Sequence, residues 1–303
     1  MEIIKDLDRL SLINTSVCLG NFDGFHLGHR RVVSLMKSRA EDLGLKSVIF
    51  TFEPHPYNFF GKDIKLISTK AQRMEIFSAQ DTDYLITAPF NEALAGLSPR
   101  DFFKNILVDK LGAKVVVVGS SYRFGSGRSG DIGLLEKLGE EYGVKCIFAE
   151  NVKDSHGQDI SSSRIRSLIS EGSTDKAAEC LGRHYYIDGK VVHGGGRGKG
   201  FGFPTANLES ENMIIPLSGV YASSVTMGSD TYKAMTYIGV CPSVEDNGKL
   251  RIETNIFNLN KDIYDTFLRV SFKERIRGEI KFNTIDELKS QMMKDKARAE
   301  SCE

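Results

Sequence analysis

Val17-Cys18-Leu19-Gly20-Asn21-Phe22-Asp23-Gly24-Phe25-His26-Leu27-Gly28-His29 runs from an apolar strand through a glycine-punctuated turn to two histidines three apart at the mouth of a helix. A strand, a tight turn and a helix start, in that order, are the beginning of a βα unit. The free N–H groups and the positive dipole end of such a helix receive an anionic phosphate. Two imidazoles there can reach the same anion from one side. A His-x-Gly-His of this kind suits charge that builds on an α-phosphate during nucleotidyl transfer, with the small Gly28 letting a nucleotide approach the backbone. Two surface histidines capping a helix are the plainer reading, but Gly20, Asp23, Gly24 and Gly28 are all placed for the strand-to-helix turn.

Outward from this stretch, strand and helix patterns alternate up to residue 183. Strands are expected at 16–20, 46–52, 83–88, 114–119 and 144–149. Near-continuous apolar runs such as Val115-Val116-Val117-Val118 imply a parallel sheet covered on both faces. Between them Ser98-Pro99-Arg100-Asp101 opens a helix with Ser98 as N-cap, and Phe102, Ile106, Leu107 and Leu111 form its apolar face before Gly112 ends it. The pattern predicts a doubly wound α/β domain with ligands beyond the carboxyl ends of its strands, where Asn21–His29 falls.

From residue 184 the rhythm becomes β-rich: Ile187–His193, Val220–Thr226, Thr231–Ile238, Leu250–Phe257 and Ile263–Phe272, with helical spacing only at about 285–300. An antiparallel barrel closed by a C-terminal helix is expected, giving domains 1–183 and 184–303. The 303 residues carry 40 basic and 40 acidic side chains, so no basic face points to nucleic acid. The cysteines at 18, 146, 180, 241 and 302 are scattered, which fits reduced thiols and no zinc site. No signal-peptide core opens the chain and no apolar run nears membrane-spanning length, so a soluble cytoplasmic protein with no membrane partner is expected.

The second domain has its own phosphate signal. His193 is followed by Gly194-Gly195-Gly196-Arg197-Gly198-Lys199-Gly200-Phe201-Gly202, with six glycines in nine positions. Ordering so many glycines is costly, which favours a closely approaching ligand over a simple turn. It is not a Walker A loop, because Gly200 stands where Ser or Thr is needed after Lys199. Next come Thr205 and Asn207, two residues apart and so on one side of an extended strand, as hard oxygen ligands for Mg²⁺ carrying a nucleotide. Glu253 interrupts an apolar alternation and is the candidate base for an attacking hydroxyl; an exposed, merely solvated glutamate is the alternative.

With these motifs, the chain resembles the bacterial bifunctional riboflavin kinase/FAD synthetases over essentially its whole length. The likeness rests on Gly20–His29, Thr51–Pro56, Arg123–Asp131 and Ile160–Arg166, then on Gly202–Asn207, Gly219–Ala222, Glu253 and Arg277–Phe282. It implies an FMN adenylyltransferase followed by a riboflavin kinase, with riboflavin, FMN, FAD and ATP as substrates and products and Mg²⁺ accompanying ATP. In the first domain it implies ATP binding by Gly20, Asn21, Phe22, Asp23, Gly28 and Ser162, with His26, His29 and Arg166 acting on the phosphates. Phe52, His55, Pro56, Tyr122, Arg123, Phe124 and Arg128 would face the flavin. In the second it implies ATP binding by Gly198, Lys199, Gly200, Thr205 and Asn207, Glu253 as base, and Arg277 at the flavin.

Some positions depart from the family pattern: Ser121, Ser163, Tyr237, Asn255 and Asp265, the last standing where glycine is usual. The sequence also admits two rival readings. Gly125-x-Gly127-x-x-Gly130 is a literal dinucleotide fingerprint, with Glu150 as the ribose-binding acid of a nicotinamide-dependent oxidoreductase. Alternatively, the barrel retains flavin binding without kinase turnover beside a working FAD synthetase.

Overall fold

The computed structural model describes residues 1–193, 203–240 and 250–302. Its contacts divide the chain into Met1–Ser161 and Ser162–Glu303. In the first unit β1 (Glu2–Ile4), β2 (Thr15–Leu19), β3 (Lys46–Glu53), β4 (Tyr84–Pro89), β5 (Ala113–Gly119) and β6 (Lys145–Ala149) form one parallel sheet in the order β1-β4-β3-β2-β5-β6. The helices are α1 (Leu27–Leu43), α2 (Pro56–Phe59), α3 (Lys70–Ser78), α4 (Glu92–Gly96), α5 (Pro99–Asp101) and α6 (Ile132–Tyr142).

The apolar strand runs bury both faces, as their lack of alternation predicts. Val17, Leu19, Val48, Phe50, Val116 and Val118 pack with Phe103, Leu107, Leu135 and Leu138. Cys18, Ile49, Leu85, Val115 and Val117 pack on the other side with Val32, Val33 and Met36 of α1 and Phe77 of α3. Each such side chain taken fully out of water contributes about 1.5–3 kcal/mol. β2 is central: the chain leaves it towards β3 on one side and later returns as β5 on the other. Its carboxyl end is therefore the switch point of the sheet, and Gly20–His29 leaves from there.

One sequence expectation changes here. Ser98 does cap the helix after it, its side chain accepting from the Asp101 N–H, but only α5 is α-helical and Phe102–Lys110 continues as a π-helix. The wider turn still buries Phe102, Ile106, Leu107 and Leu111. The edge strand β1 has three residues, too few to show a period in the sequence.

The second unit begins with α7 (Ser162–Ser170) and α8 (Thr174–Leu181), which the sequence reading placed with the first domain. Then β7 (Tyr185–Val192), β8 (Ala206–Ser210), β9 (Gly219–Met227), β10 (Asp230–Val240), β11 (Leu250–Ile256) and β12 (Phe267–Arg277) close an antiparallel barrel in the order β10-β11-β8-β7-β12-β9. Inside it the hydroxyls of Ser223, Thr236 and Thr254 form a fully buried chain with O···O distances of 2.8 and 3.0 Å, so they satisfy one another. The helix α9 (Ile285–Ser301) lays Ala299 on Val220, Ala222, Met235 and Phe257.

The last strand starts later than the expected Ile263. The chain turns first, with Asp265 at φ 60° and the Asp262 carboxylate accepting the Tyr264 N–H, and β12 then runs on through Arg277. Asp265 thus occupies the left-handed conformation that the usual glycine would take, and pairs at 2.7 Å with Lys190.

Candidate active sites

At the end of β2 the backbone is bent hard. Phe22 (φ 51°) and Phe25 (φ 42°) lie in the left-handed region, where bulky residues cost about 1–3 kcal/mol each and persist only if their surroundings fix them. Both rings are buried, and both meet Phe77 edge-on at 6.1 and 5.8 Å. Between them Gly24 (φ 75°) sits on Ile67, where an added Cβ would come within 2.7 Å of Cδ1.

The turn delivers His26 as N-cap of α1, its Nδ1 accepting the His29 N–H at 3.3 Å. The two rings stack with centroids 3.6 Å apart and planes at 19°. Burial, the neighbouring His26 and the Arg73 guanidinium, in that order, hold His29 well below its ordinary value of 6.5. His29 is therefore neutral at pH 7 and offers a hydrogen bond rather than a positive charge. Its Nδ1 is buried with no partner among the described residues. Gly28 acquires a further reason here: an added Cβ would lie 3.1 Å from the His26 ring.

Asn21 and Asp23 work inside the turn. The Asp23 carboxylate accepts the Ile67 N–H at 2.9 Å, and the Asn21 carbonyl accepts from Thr51 Oγ1 and from Arg73 Nη2, both at 3.3 Å. Gly20 lies under the Phe22 ring. Arg73 was missed in the sequence, where nothing distinguishes it from a solvated cation on a polar helix.

Most of the expected flavin-facing residues also gather in the first unit. His55 caps α2, accepting the Tyr57 N–H at 3.2 Å, and Pro56 is the first residue of that helix. Phe52 meets Phe90 edge-on at 5.4 Å, and Phe90 in turn meets Phe59 and Phe60. Tyr122 stacks on Phe124 at 5.9 Å, and burial pushes its phenol up. Arg128 donates to the hydroxyl of Tyr57, which the sequence reading omitted, and so joins the 52–57 and 122–131 segments. Arg123 only approaches Asp131, at 3.9 Å.

The dinucleotide fingerprint fails on this geometry. Phe124 and Gly130 exchange two backbone hydrogen bonds, so Gly125–Gly130 closes on itself, and α6 is capped separately by Asp131. The fingerprint needs its glycines between strand end and helix start.

Ser162 and Arg166 stand on α7, with Arg166 donating to Ser163 Oγ at 3.3 Å. Gly198, Lys199 and Gly200 lie outside the described residues.

On the barrel, Asn207 of β8 stands opposite Glu253 of β11, and Glu253 stands opposite Tyr237 of β10. Directly paired residues put their side chains on one face about 5 Å apart. Thr205 precedes the first residue of β8 instead of lying within it, but keeps its two-residue offset from Asn207. Asn255, one of the departures, donates to the Pro204 carbonyl at 2.7 Å and so fixes the backbone that carries Thr205. Glu253 has Arg251 Nη1 at 3.6 Å. Tyr237 donates to Glu279 at 2.7 Å. Arg277 is held by Asp295 of α9, with Nε and Nη2 both 2.8 Å from Oδ2, and Gln291 occupies Oδ1. Asp295 looked in the sequence like another surface charge; it is 2% exposed.

No group of three or more acidic, histidine or cysteine side chains suited to a metal occurs among the described residues. The hydroxyl and amide oxygens of Thr205 and Asn207 still fit Mg²⁺, which keeps several waters and is held largely by substrate phosphates. No helix of the described residues is long and apolar enough to cross a membrane.

Comparison with known proteins matches residues 9–164 to the FAD synthetase family and residues 181–302 to the riboflavin kinase family. Proteins named bifunctional riboflavin kinase/FMN adenylyltransferase are similar along their whole length. That of Bacillus subtilis is 34% identical, covering 98% of this chain and 94% of its own. That of Buchnera aphidicola subsp. Schizaphis graminum is 33% identical, covering 97% and 96%. A solved structure described as a macrolide-efflux protein from Streptococcus pneumoniae is 30% identical, with TM-score 0.90 and 99% of both chains covered.

Proposed function

This chain belongs to the bifunctional riboflavin kinase/FMN adenylyltransferase family, and from that premise we propose how its residues divide the two reactions. The protein phosphorylates riboflavin with ATP to FMN and adenylylates FMN with a second ATP to FAD. The functional boundary is set at 183/184, which the start of the kinase match at 181 supports.

In the kinase half, Glu253 takes the proton of the ribityl 5′-hydroxyl, whose oxygen attacks the γ-phosphorus of ATP, and ADP leaves. Thr205 and Asn207 would hold Mg²⁺ with the nucleotide, and the bound ion would neutralise phosphate charge as it builds. In the adenylyltransferase half, an oxygen of the FMN phosphate attacks the α-phosphorus of ATP and pyrophosphate leaves. His26 and His29 donate hydrogen bonds to that phosphate, with Gly20–Asp23 and Gly28 shaping the turn beneath it. Ser162 and Arg166 are assigned to the ATP phosphates on the family likeness. Phe52, His55, Pro56, Tyr122, Arg123, Phe124 and Arg128 are assigned to the flavin, with aromatic faces for its ring system and guanidinium groups for its phosphate.

The observation that carries the kinase assignment is the pairing of Glu253 with Asn207, which sets a base beside an oxygen ligand on one barrel face. Purified protein given riboflavin, ATP and Mg²⁺ is expected to yield FMN and then FAD on chromatography. FAD from added FMN, but no FMN from riboflavin, would overturn the kinase half. Chelation by EDTA is expected to stop both reactions.

A further inference from the structure

We infer that Arg73 is a positioning residue for adenylyl transfer, bracing the phosphate turn from α3; this rests on the assignment of His26 and His29 to ATP. The brace starts with local sequence. Thr69 and Gln72 form a reciprocal capping box, Thr69 Oγ1 accepting the Gln72 N–H at 3.2 Å and Gln72 Oε1 the Thr69 N–H at 2.9 Å. That box fixes where α3 begins and hence which way the next residue, Arg73, projects. Its guanidinium is a two-sided fork. Nη2 donates to the Asn21 carbonyl at 3.3 Å and to Thr51 Oγ1 at 3.2 Å, while Nη1 pairs with Glu53 at 3.3 Å. The side chain is 7% exposed, and its ring-side contact is Phe77, 5.9 Å away, the residue that both strained phenylalanines pack against. Just before the helix, the Ile67 N–H reaches the Asp23 carboxylate and the Ile67 side chain underlies Gly24. The segment 67–73 therefore grips the turn at Asn21, Asp23 and Gly24.

A turn with two bulky residues at positive φ needs such external fixing, because left alone it would relax and carry His26 and His29 with it. Lysine cannot replace this fork. One ammonium supplies the charge but does not span Glu53 on one side and the Asn21–Thr51 pair on the other.

The test is Arg73→Lys in the full chain, followed by both activities and by ATP affinity. The second reaction is a built-in control, since Arg73 is absent from the kinase domain. The expected result is a tenfold or greater fall in kcat for FMN adenylylation, ATP binding within about threefold of wild type, and riboflavin phosphorylation within twofold. FMN adenylylation within twofold of wild type would overturn the inference. If Arg73→Lys loses ATP binding through local unfolding, Thr51→Val decides. A threefold or greater fall in adenylylation kcat at unchanged thermal midpoint supports the brace, and an unchanged kcat overturns it. The pH profile separates positioning from charge. Among the described residues, His29, His26, Arg73, Asp23 and Glu53 are the charged or titratable groups around this site, and Arg73→Lys keeps a cation beside His29, so the profile should hold its shape while its height falls. Wild-type protein that makes no FAD at all would instead overturn the assignment of the histidines.

Discussion

Glu253 of β11 stands directly opposite Asn207 of β8 in the antiparallel register of the barrel. One pairing thus sets the proposed base and a proposed Mg-ATP ligand side by side, although 46 positions separate them in the chain numbering of that same pair. Glu253→Gln keeps the shape and removes the proton acceptor. Riboflavin phosphorylation is expected to fall about 10²–10⁴-fold, the usual worth of a positioned general base. FAD formation from supplied FMN should remain within twofold, and full kinase turnover in the variant would remove Glu253 from the mechanism.

Gly28→Ala separates stability from chemistry. Alanine is the better helix former by up to about 1 kcal/mol, which offsets the strain placed on the His26 cap, so the unfolding midpoint should stay about level. The new Cβ, 3.1 Å from the His26 ring, must push that ring aside. FMN adenylylation is expected to fall about tenfold for a shift of a few tenths of an ångström. Steady-state rates and a thermal scan on the same sample check both halves of this expectation.

The depressed His29 makes stability pH-dependent in a defined direction. Its folded value lies below the ordinary 6.5, so the unfolded chain binds the extra proton first as the solution is acidified. Its contribution is complete above about pH 6.5 and declines as the pH falls from there towards the folded value. The midpoint of the first unit should drop more steeply between pH 7 and 5 in wild type than in His29→Gln. Parallel curves would count against a neutral buried His29.

Asp295→Ala removes the carboxylate that holds Arg277 to α9 and leaves a mostly buried guanidinium with no counter-charge at that contact, only the Gly278 carbonyl and the Phe282 ring. A loss of about 3 kcal/mol in the stability of the barrel is expected. Urea unfolding of the full chain, followed through riboflavin phosphorylation, should show the kinase half failing at lower denaturant. The first unit, Met1–Ser161, should keep its own midpoint.

The sequence was most legible where local pattern and burial agree. Runs such as Val115–Val118 announce strands buried on both faces, and Ser98 and Gly20–His29 announce helix starts by their chemistry. The family likeness then supplied roles that no periodicity contains. Arg73 stayed hidden because its partners are a backbone carbonyl, a hydroxyl and a carboxylate on other elements, none of which leaves a spacing in the chain. Asp295 stayed hidden for a similar reason: on a polar helix, burial is decided by what docks against it. The start of β12 was misplaced because Ile263-Tyr264 has strand composition while Asp265 turns the backbone.

Closure of the barrel has a consequence for how the protein is made. Its seam joins β7 to β12, with Tyr185 opposite Phe272, so β7 waits for that partner until nearly all of the second unit has left the ribosome. The parallel sheet is complete once Lys145–Ala149 has emerged. Domains fold as units from the N-terminus during synthesis, so the sheet that carries His26 and His29 takes shape before the barrel that carries Glu253. A premature stop codon ahead of Phe267 would leave the seam strand untranslated, and the barrel would stay open between β7 and β9.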